Sequence, residues 1–299
     1  MYPKYPYWGK ECKCEDQPIT FPPQHQAKQP GLEYLMEPRP ICENPEYTGS
    51  RKLMGKIAVI TGGDSGIGRA VAIAFAKEEA DVAVVYLNED RDAEETQARI
   101  EELGRRCLLI RGDLRDEGFS CEVAGRTLDC FGKIDILIHN QAVQYPQDSI
   151  LDISREQLVA TFETNIFPHF YLTKAVLPHL CPGSSIISTA SITAYRGSEY
   201  LIDYSATKGA IVSFTRSLSI SLAPRQIRVN AVAPGPIWTP LIPSSYPAWY
   251  VETFGLETEM KRAGQPFELA PTYVYLAADD SRFVSGQVLH VNGGVITQT

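Results

Sequence analysis

Seven short apolar runs, each separated from the next by a longer stretch of helical periodicity, constrain the fold of this chain most strongly. They lie at 57–60, 82–86, 107–110, 134–138, 185–188, 227–232 and 287–291. A run that is apolar at almost every position is typical of a parallel strand covered by helices on both faces. The pattern continues without a break from residue 51 to residue 299. It therefore predicts a single α/β domain with a doubly wound parallel sheet of about seven strands.

The turn after the first apolar run is rich in glycine and leads into a helical stretch. It reads Thr61-Gly62-Gly63-Asp64-Ser65-Gly66-Ile67-Gly68. Glycine lets a backbone approach a pyrophosphate, and the N-terminus of the next helix directs amides and a positive dipole end at phosphates. The order of strand, turn and helix predicts a dinucleotide site on a Rossmann-type fold. A glycine-rich loop by itself also occurs without a nucleotide.

A tyrosine and a lysine four residues apart, Tyr204 and Lys208, fall on one face of a predicted helix. A nearby ammonium favours the phenolate, so we expect the pKa of Tyr204 to lie below its usual value of ~10. Tyr204 could then exchange a proton with a substrate oxygen while hydride moves at the adjacent carbon. Ser191 follows the fifth apolar run and can polarise the same carbonyl. An isolated Tyr-x-x-x-Lys is usually a surface pair, and its combination with the glycine turn favours catalysis.

In their order and spacing, these motifs resemble the short-chain dehydrogenase/reductase (SDR) family from about residue 51 to the end of the chain. The resemblance implies that Asp113 and Leu114 contact the adenine and that the loop 234–239 holds the nicotinamide carboxamide. It also implies that Asn165 positions a water for proton relay. The proline-rich N-terminal segment and the stretch 192–195 are similar to a bacterial subgroup of stress-associated oxidoreductases.

The resemblance implies a set of site residues, a cofactor and an assembly. The expected catalytic residues are Asn165, Ser191, Tyr204 and Lys208. The residues expected to bind NADP or NAD are Thr61, Gly62, Asp64, Ser65, Gly66, Ile67, Gly68, Asp113, Leu114, Asn140, Tyr204, Lys208, Pro234, Gly235, Ile237 and Thr239. A homotetramer is also implied, in which the N-terminal segment could cross between subunits.

Two positions depart from the pattern of the family. The usual Asn-Asn-Ala-Gly after the fourth strand is His139-Asn140-Gln141-Ala142 here. Asn140 keeps its position, and His139 is interpreted as a structural replacement, not as a base or a metal ligand. Glu79 stands where a glycine often ends the first helix. A left-handed residue there costs a non-glycine side chain about 1 kcal/mol, unless the helix ends in another way.

The end of the second strand bears on the choice between NAD and NADP. An acidic residue there would hold the ribose 2′-hydroxyl of NAD and repel the 2′-phosphate of NADP. The chain has Tyr86, Leu87 and Asn88 at this point, so a strict preference for NAD is not supported. Arg69 follows the glycine turn and could approach a phosphate. The sequence therefore favours NADP slightly and remains compatible with either cofactor.

The residues between 239 and 264 are expected to form the substrate loop. Its apolar members could line a pocket or only pack the loop; they are Leu241, Ile242, Tyr246, Trp249, Tyr250 and Phe254. Gln144 and Tyr145 are expected at the same mouth. The predicted function is NAD(P)-dependent hydride transfer to or from a small aldehyde, ketone or polyol. The Tyr–Lys spacing disfavours reduction of a carbon–carbon double bond. The alternative is an NAD(P)-binding sensor or scaffold with little turnover.

Residues 1–50 form a proline-rich arm without helical or alternating periodicity. Proline removes backbone donors and disfavours a preceding helix, so the arm is expected to be extended. It also contains aromatic residues such as Phe21 and Tyr34, which are scarce in disordered tails. We therefore expect part of it to pack on the domain or on a neighbouring subunit; a partly ordered tail without a role is the alternative. Cys12 and Cys14 lack further ligands at metal-binding spacing, so free thiols are favoured.

Charge and cysteine content narrow the possible partners and location. The 299 residues carry a formal net charge of −8, which disfavours binding to nucleic acid. No apolar run approaches the roughly 20 residues needed to cross a bilayer, and no secretion signal pattern is seen at residues 1–10. The seven cysteines are an odd number and suggest no disulfide framework. We expect a cytoplasmic protein that binds a small substrate, without a metal, membrane or nucleic-acid partner.

Overall fold

The computed structural model describes residues 17–297, which contain one parallel sheet of seven strands. The strands are β1 (Ile57–Thr61), β2 (Asp81–Tyr86), β3 (Cys107–Arg111), β4 (Ile136–His139), β5 (Ser185–Thr189), β6 (Arg228–Pro234) and β7 (Val288–Val291). Their order across the sheet is β3-β2-β1-β4-β5-β6-β7. Each lies within three residues of an apolar run, so the predicted doubly wound sheet is confirmed.

Helices connect the strands and cover both faces of the sheet. They are α1 (Gly66–Lys77), α2 (Asp90–Glu102), α3 (Glu117–Phe131), α4 (Arg155–Asn165), α5 (Phe167–Val176), α6 (Thr193–Arg196), α7 (Ile202–Leu222), α8 (Ala248–Val251) and α9 (Pro266–Ala277). Helices α1, α2 and α9 share one apolar cluster with the sheet, and α3 and α5 share another. No helix in the described part of the chain is long and apolar enough to span a bilayer.

Alternate residues of each central strand belong to opposite cores. In β1, Ala58 and Ile60 join the cluster under α1 and α9, whereas Val59 joins the cluster under α3 and α5. All five residues of β1 are buried. This double burial is why the runs are apolar at consecutive positions instead of alternating. It also leaves the carboxyl ends of the strands as the open edge of the sheet, where a ligand can bind.

Helix α1 ends with a left-handed residue, although that residue is not glycine. Glu79 has φ of +69°, and the next amide, Ala80 N, donates to Phe75 O at 3.0 Å. The Glu79 carboxylate pairs with Arg51 at 2.9 Å on the surface. Helix α1 therefore ends in the left-handed conformation that usually requires glycine, and Glu79 adopts it at a conformational cost of about 1 kcal/mol.

The described part of the arm, residues 17–50, packs along the domain. Phe21 is 4% exposed and stacks on Trp238 with ring centroids 3.7 Å apart. Near its end, the amide of Ser50 donates to the Glu78 carboxylate at 2.9 Å. Residues 17–50 have little regular structure, with one 3-10 turn at Glu33–Leu35. Cys12 and Cys14 lie outside the described residues.

Two histidines form a stacked pair inside the domain. His139, at the end of β4, and His169, on α5, have ring centroids 4.4 Å apart and are at most 1% exposed. His139 Nε2 lies 3.0 Å from Thr173 Oγ1. Burial lowers the pKa of His139 to about 3 and holds the pKa of His169 well below its usual value. His139 thus occupies a packed, neutral position, in line with its interpretation as a structural residue.

This pair makes stability sensitive to acid. Between about pH 6.5 and pH 3 the unfolded chain binds protons at histidines that stay neutral in the folded state, so stability falls as pH falls. When the pH is lowered from 7 to 5, we expect the free energy of unfolding to fall by about 2 kcal/mol less in His139→Gln than in the wild type. Urea unfolding at both pH values measures this difference. The exposed His179→Gln serves as the control, and an equal pH dependence in all three proteins would contradict the interpretation.

Candidate active site

A cavity of about 380 Å³ lies at the carboxyl edge of the sheet. It runs from the glycine turn after β1, past the residues that follow β3 and β4, to the loop after β6. Its floor includes Ser191, Tyr204 and Lys208. From β1 the chain continues to β2 on one side of the sheet centre, and from β4 it continues to β5 on the other side. Open α/β sheets bind ligands at the point between two strands where the connections change direction in this way.

Hydrogen bonds centred on Asn140 connect the ends of three strands at this point. Asn140 N donates to Thr61 Oγ1 at 2.9 Å, and Asn140 Nδ2 donates to Gly62 O at 3.1 Å. On the other side, Thr189 Oγ1 donates to Asn140 Oδ1 at 3.0 Å. The glycine turn after β1 and the segment after β5 are thereby held in register with the end of β4.

The glycines of the turn are required by close approach and by backbone conformation. Gly62 and Gly66 have φ of +58° and +52°, in the left-handed region that favours glycine. A Cβ on Gly68 would overlap the carbonyl of Gly62, and a Cβ on Gly66 would lie 3.1 Å from the Thr239 side chain. The first turn of α1 therefore lies against bare backbone, and Gly66 and Ile67 at its start line the cavity. This cradle fits the pyrophosphate of a dinucleotide.

A buried carboxylate from the arm contacts this turn. Glu33 is 1% exposed and accepts the amide of Gly66 at 2.6 Å and Arg69 Nη1 at 2.6 Å. Burial raises the pKa of Glu33, and the Arg69 guanidinium acts in the opposite direction. The Gly66 amide is thus engaged within the protein. The neighbouring residues Ser65 and Ile67 line the cavity as well.

Arg69 is engaged inside the protein and does not line the cavity. Its guanidinium also donates to Thr96 Oγ1 at 2.8 Å and to the carbonyl of Asp92 at 2.7 Å. The side chain is buried beside Glu33, with an ion pair at 2.6 Å. Arg69 therefore gives no support to a preference for NADP, in contrast to the suggestion from the sequence.

The hydroxyl, phenol and ammonium expected to handle the proton are buried together. Tyr204 is 8% exposed and Lys208 is 1% exposed, and Lys208 Nζ lies 5.4 Å from the centroid of the Tyr204 ring. Lys208 Nζ donates to the carbonyl of Thr189 at 2.7 Å. Ser191 Oγ accepts the amide of Thr193 at 3.1 Å, which fixes its hydroxyl beside the cavity.

The pKa of Tyr204 differs from the sequence expectation. Burial raises it to about 12, and a hydrogen bond from Ser191 acts in the opposite direction. Burial also lowers the pKa of Lys208 to about 7, which reduces the charge that would favour a phenolate. The neighbouring ammonium therefore does not depress the pKa of Tyr204 as expected, because desolvation of both groups is the larger effect.

Asn165 lies behind the cavity wall and is fully buried. Its side chain accepts the amide of Val143 and donates to the carbonyl of Val143, both at 2.8 Å, and also donates to Thr207 Oγ1 at 3.2 Å. The carboxamide is thus engaged in holding the wall after β4. Asn165 is not among the residues that line the cavity.

The cavity brings together most of the residues expected from the sequence. Those that line it are Gly62, Asp64, Ser65, Gly66, Ile67, Asp113, Leu114, Asn140, Ser191, Tyr204, Lys208, Pro234, Gly235, Ile237 and Thr239. Thr61, Gly68 and Asn165 are not in the lining. Thr61 and Asn165 hold neighbouring segments through hydrogen bonds, and Gly68 provides room for the turn.

The departure at 139–142 is accommodated by its hydrogen bonds. The Gln141 side chain bonds to Thr61 Oγ1 and donates to the carbonyl of Thr164 at 3.4 Å. His139 lies in the buried histidine pair, and Asn140 keeps its contacts to the ends of β1 and β5. The segment after β4 therefore retains a connected geometry despite its unusual residues.

The substrate loop contributes five of its six expected side chains. Leu241, Ile242, Tyr246, Tyr250 and Phe254 line the cavity, as do Gln144 and Tyr145. Trp249 does not; it is 71% exposed and packs against Tyr250 at the surface. The cavity is thus bordered by aromatic and aliphatic groups on this side.

Two groups of lining residues were missed by sequence reasoning. Gln29, Pro30 and Gly31 come from the arm, Arg196 is the last residue of α6, and Ser198 follows that helix. The aromatic residues of the arm indicated that it would pack, but nothing in its sequence indicated where. Arg196 and Ser198 lie between Ser191 and Tyr204 in the chain, so their position near the site could have been inferred from those neighbours.

Comparison with known proteins is consistent with this geometry. Residues 62–296 match a family model described as enoyl-(acyl carrier protein) reductase. The uncharacterized oxidoreductase YhxC of Bacillus subtilis is 63% identical, over 93% of this chain and 96% of its own. A crystal structure of a short chain dehydrogenase from Burkholderia cenocepacia, in complex with NADP, superposes with a TM-score of 0.77. It is 30% identical, over 81% of this chain and 98% of its own.

Two further relatives have names that state an activity. The glucose and ribitol dehydrogenase of Daucus carota is 49% identical, over 92% of this chain and 97% of its own. The chloroplastic NADPH-dependent aldehyde reductase 1 of Arabidopsis thaliana is 49% identical, over 91% of this chain and 97% of its own.

The glycine turn provides a direct test of the dinucleotide cradle. We expect Gly66→Val to raise the dissociation constant for NADPH about tenfold or more, because the new side chain occupies space between the turn and Thr239. Fluorescence titration measures this constant. The control is Gly125→Val on α3, where a Cβ would meet nothing within 4 Å. Unchanged affinity in a folded Gly66→Val protein would contradict the assignment of the cradle.

Proposed function

This chain belongs to the short-chain dehydrogenase/reductase family, and we propose that its cavity reduces small aldehydes or ketones, or oxidises the corresponding alcohols. It is an NAD(P)-dependent oxidoreductase acting on CH–OH and C=O groups. The observation that carries the proposal is the burial of Ser191, Tyr204 and Lys208 in one cavity whose other end is a glycine cradle. This arrangement provides proton-handling groups beside a site for a nicotinamide dinucleotide.

In the proposed mechanism, Ser191 and Tyr204 bind the substrate oxygen. A nicotinamide dinucleotide held at the glycine turn would supply the hydride in the reducing direction and accept it in the oxidising direction. In the reducing direction, Tyr204 donates its phenolic proton to the carbonyl oxygen, and a pKa of about 12 keeps that proton in place at neutral pH. When Lys208 is protonated, its ammonium stabilises the resulting phenolate; Nζ lies 5.4 Å from the centroid of the phenol ring. Asn165 acts as a positioning residue, through its bonds to Val143.

The lining of the cavity and the relatives both support small carbonyl and polyol substrates. Polar side chains such as Arg196, Ser198 and Glu257 share the cavity with aromatic rings of the substrate loop. Relatives include a glucose and ribitol dehydrogenase and an NADPH-dependent aldehyde reductase, each 49% identical. We therefore place aldehydes, ketones and sugar alcohols in one candidate substrate class.

For the cofactor, we propose that NADP(H) is preferred slightly over NAD(H). The named NADPH-dependent relative and the NADP-bound solved structure support this order. Shortly after β2, Glu89 is 4% exposed and its carboxylate accepts the amides of Leu87 and Asn88, at 3.2 and 2.7 Å. Burial raises the pKa of Glu89, although these backbone hydrogen bonds act in the opposite direction, and a raised pKa lessens the repulsion of a 2′-phosphate.

A homotetramer in the cytoplasm is proposed for the assembly and location. Apolar side chains are exposed on α5, with Phe167 at 41% and Phe170 at 51%. A second apolar region lies near the edge strand β7, where Phe283 and Ile296 are almost fully exposed. Two different self-pairing faces are what a tetramer with three two-fold axes needs. The five described cysteines are free thiols, as is usual in a reducing compartment.

Removing the phenolic proton tests the mechanism. We expect Tyr204→Phe to lower the turnover of NADPH with small aldehydes by about 10²–10⁴-fold while NADPH binding is retained. Absorbance at the NADPH band and fluorescence titration measure the two quantities. The exposed Tyr275→Phe on α9 is the control.

The same assay distinguishes an enzyme from a sensor. Turnover in the wild type that survives Tyr204→Phe would contradict the assigned role. Tight NADPH binding without turnover on any aldehyde, ketone or sugar alcohol would instead favour the sensor. The hydrogen-bonded segment 139–142 gives that alternative no structural support.

Changing one apolar face at a time tests the assembly. We expect Phe170→Glu and Phe283→Glu each to convert the tetramer into a dimer, because a carboxylate on an apolar interface must be desolvated. Native mass spectrometry measures the change. Tyr275→Phe should stay tetrameric, and a monomeric wild type would contradict the proposal.

A further inference from the structure

Part of the arm forms a small closed loop, residues 26–32, called the arm loop below. Gln26 closes it with its own side chain. Its Nε2 donates to the carbonyl of Leu32 at 2.9 Å, and its Oε1 accepts the amide of Leu32 at 2.7 Å. The two ends of the loop are therefore held together independently of the rest of the domain.

The tip of the arm loop lies in the wall of the cavity. Gln29, Pro30 and Gly31 are among the lining residues. A Cβ on Gly31 would overlap the carbonyl of Pro240 and come within 3.0 Å of Ser244 Cβ, so the tip packs directly on the substrate loop. Only glycine fits this close approach.

On the opposite side, Gln29 binds the segment after β4. Its Nε2 donates to the carbonyl of Gln144 at 2.6 Å, and its Oε1 accepts the amide of Gln144 at 3.1 Å. The preceding residue, Val143, is held in the same way by Asn165, with both bonds at 2.8 Å. Two carboxamides thus hold two consecutive residues of the cavity wall, one from the arm and one from α4.

Other contacts attach the arm loop to the substrate loop. The amide of Gln26 donates to the carbonyl of Pro243 at 2.7 Å, and His25 Nδ1 lies 2.9 Å from the carbonyl of Tyr246. Before the loop, Phe21 stacks on Trp238. The arm therefore joins two walls of the cavity that are about 100 residues apart in the chain.

We propose that the arm loop is a third wall of the substrate cavity and that Gln29 is a positioning residue for substrate binding. It acts through the backbone of Gln144, which is 4% exposed and borders the cavity. The inference rests on the proposed carbonyl reduction. It adds that recognition of the small carbonyl substrate depends on a segment outside the Rossmann-type domain.

The test compares Gln29→Leu with a matched arm variant, Gln24→Leu. Within residues 17–297, the Gln24 side chain bonds to Pro22 and Glu37 of the arm, with its Oε1 accepting the amide of Glu37 at 3.1 Å. We expect Gln29→Leu to raise KM for small aldehydes about tenfold, from the loss of two partly buried hydrogen bonds, with kcat and the NADPH dissociation constant within about twofold. Gln24→Leu should leave all three constants within about twofold of the wild type.

Hydrogen exchange provides a readout that does not need turnover. We expect the amides of Val143, Gln144, Tyr145 and Gln147 to exchange faster in Gln29→Leu and not in Gln24→Leu. Unchanged KM and unchanged exchange in Gln29→Leu would overturn the proposal, as would equal effects of the two variants on KM, NADPH affinity and melting temperature. If the wild type turns over no carbonyl substrate, the proposed function fails, and exchange at 143–147 still decides whether Gln29 holds this wall.

Discussion

The hydrogen bonds around Asn140 are the interaction on which the geometry of the site depends. They join the ends of β1, β4 and β5 through Thr61, Gly62 and Thr189. The sheet alone would align these strands, but their carboxyl ends carry turns that could diverge. Because Asn140 bonds to both sides, the glycine cradle and the segment leading to Ser191 keep a common position. The carbonyl of Thr189 then accepts Lys208, which links the same group to α7.

Desolvation determines the protonation of the site. Tyr204 and Lys208 are both buried, and burial favours the neutral form of each. The phenol therefore keeps its proton at neutral pH, in the form that can protonate a carbonyl oxygen. A similar effect keeps His139 and His169 neutral beneath the site. The charge state of the candidate site is therefore set mainly by burial.

The arm connects parts of the site that the domain leaves separate. Glu33 reaches the first turn of α1, whereas Gln29 reaches the wall after β4. The tip of the arm loop lines the cavity, and the short turn Glu33–Leu35 follows it against the first turn of α1. A segment with almost no regular structure is thus held by side-chain and backbone bonds to several loops. Its position explains why a proline-rich stretch carries buried residues such as Phe21 and Glu33.

The sequence by itself determined the strands, the glycine turn and the order of Ser191, Tyr204 and Lys208. These follow from local physical constraints: double burial gives continuous apolar runs, and a tight turn needs glycine. Only the tertiary structure decided that Arg69 binds Glu33, that burial outweighs the ammonium at Tyr204, and that Gln29 holds Gln144. Those outcomes depend on contacts between residues far apart in the chain and on the exclusion of water. No short sequence motif indicates these long-range contacts or which groups are excluded from water.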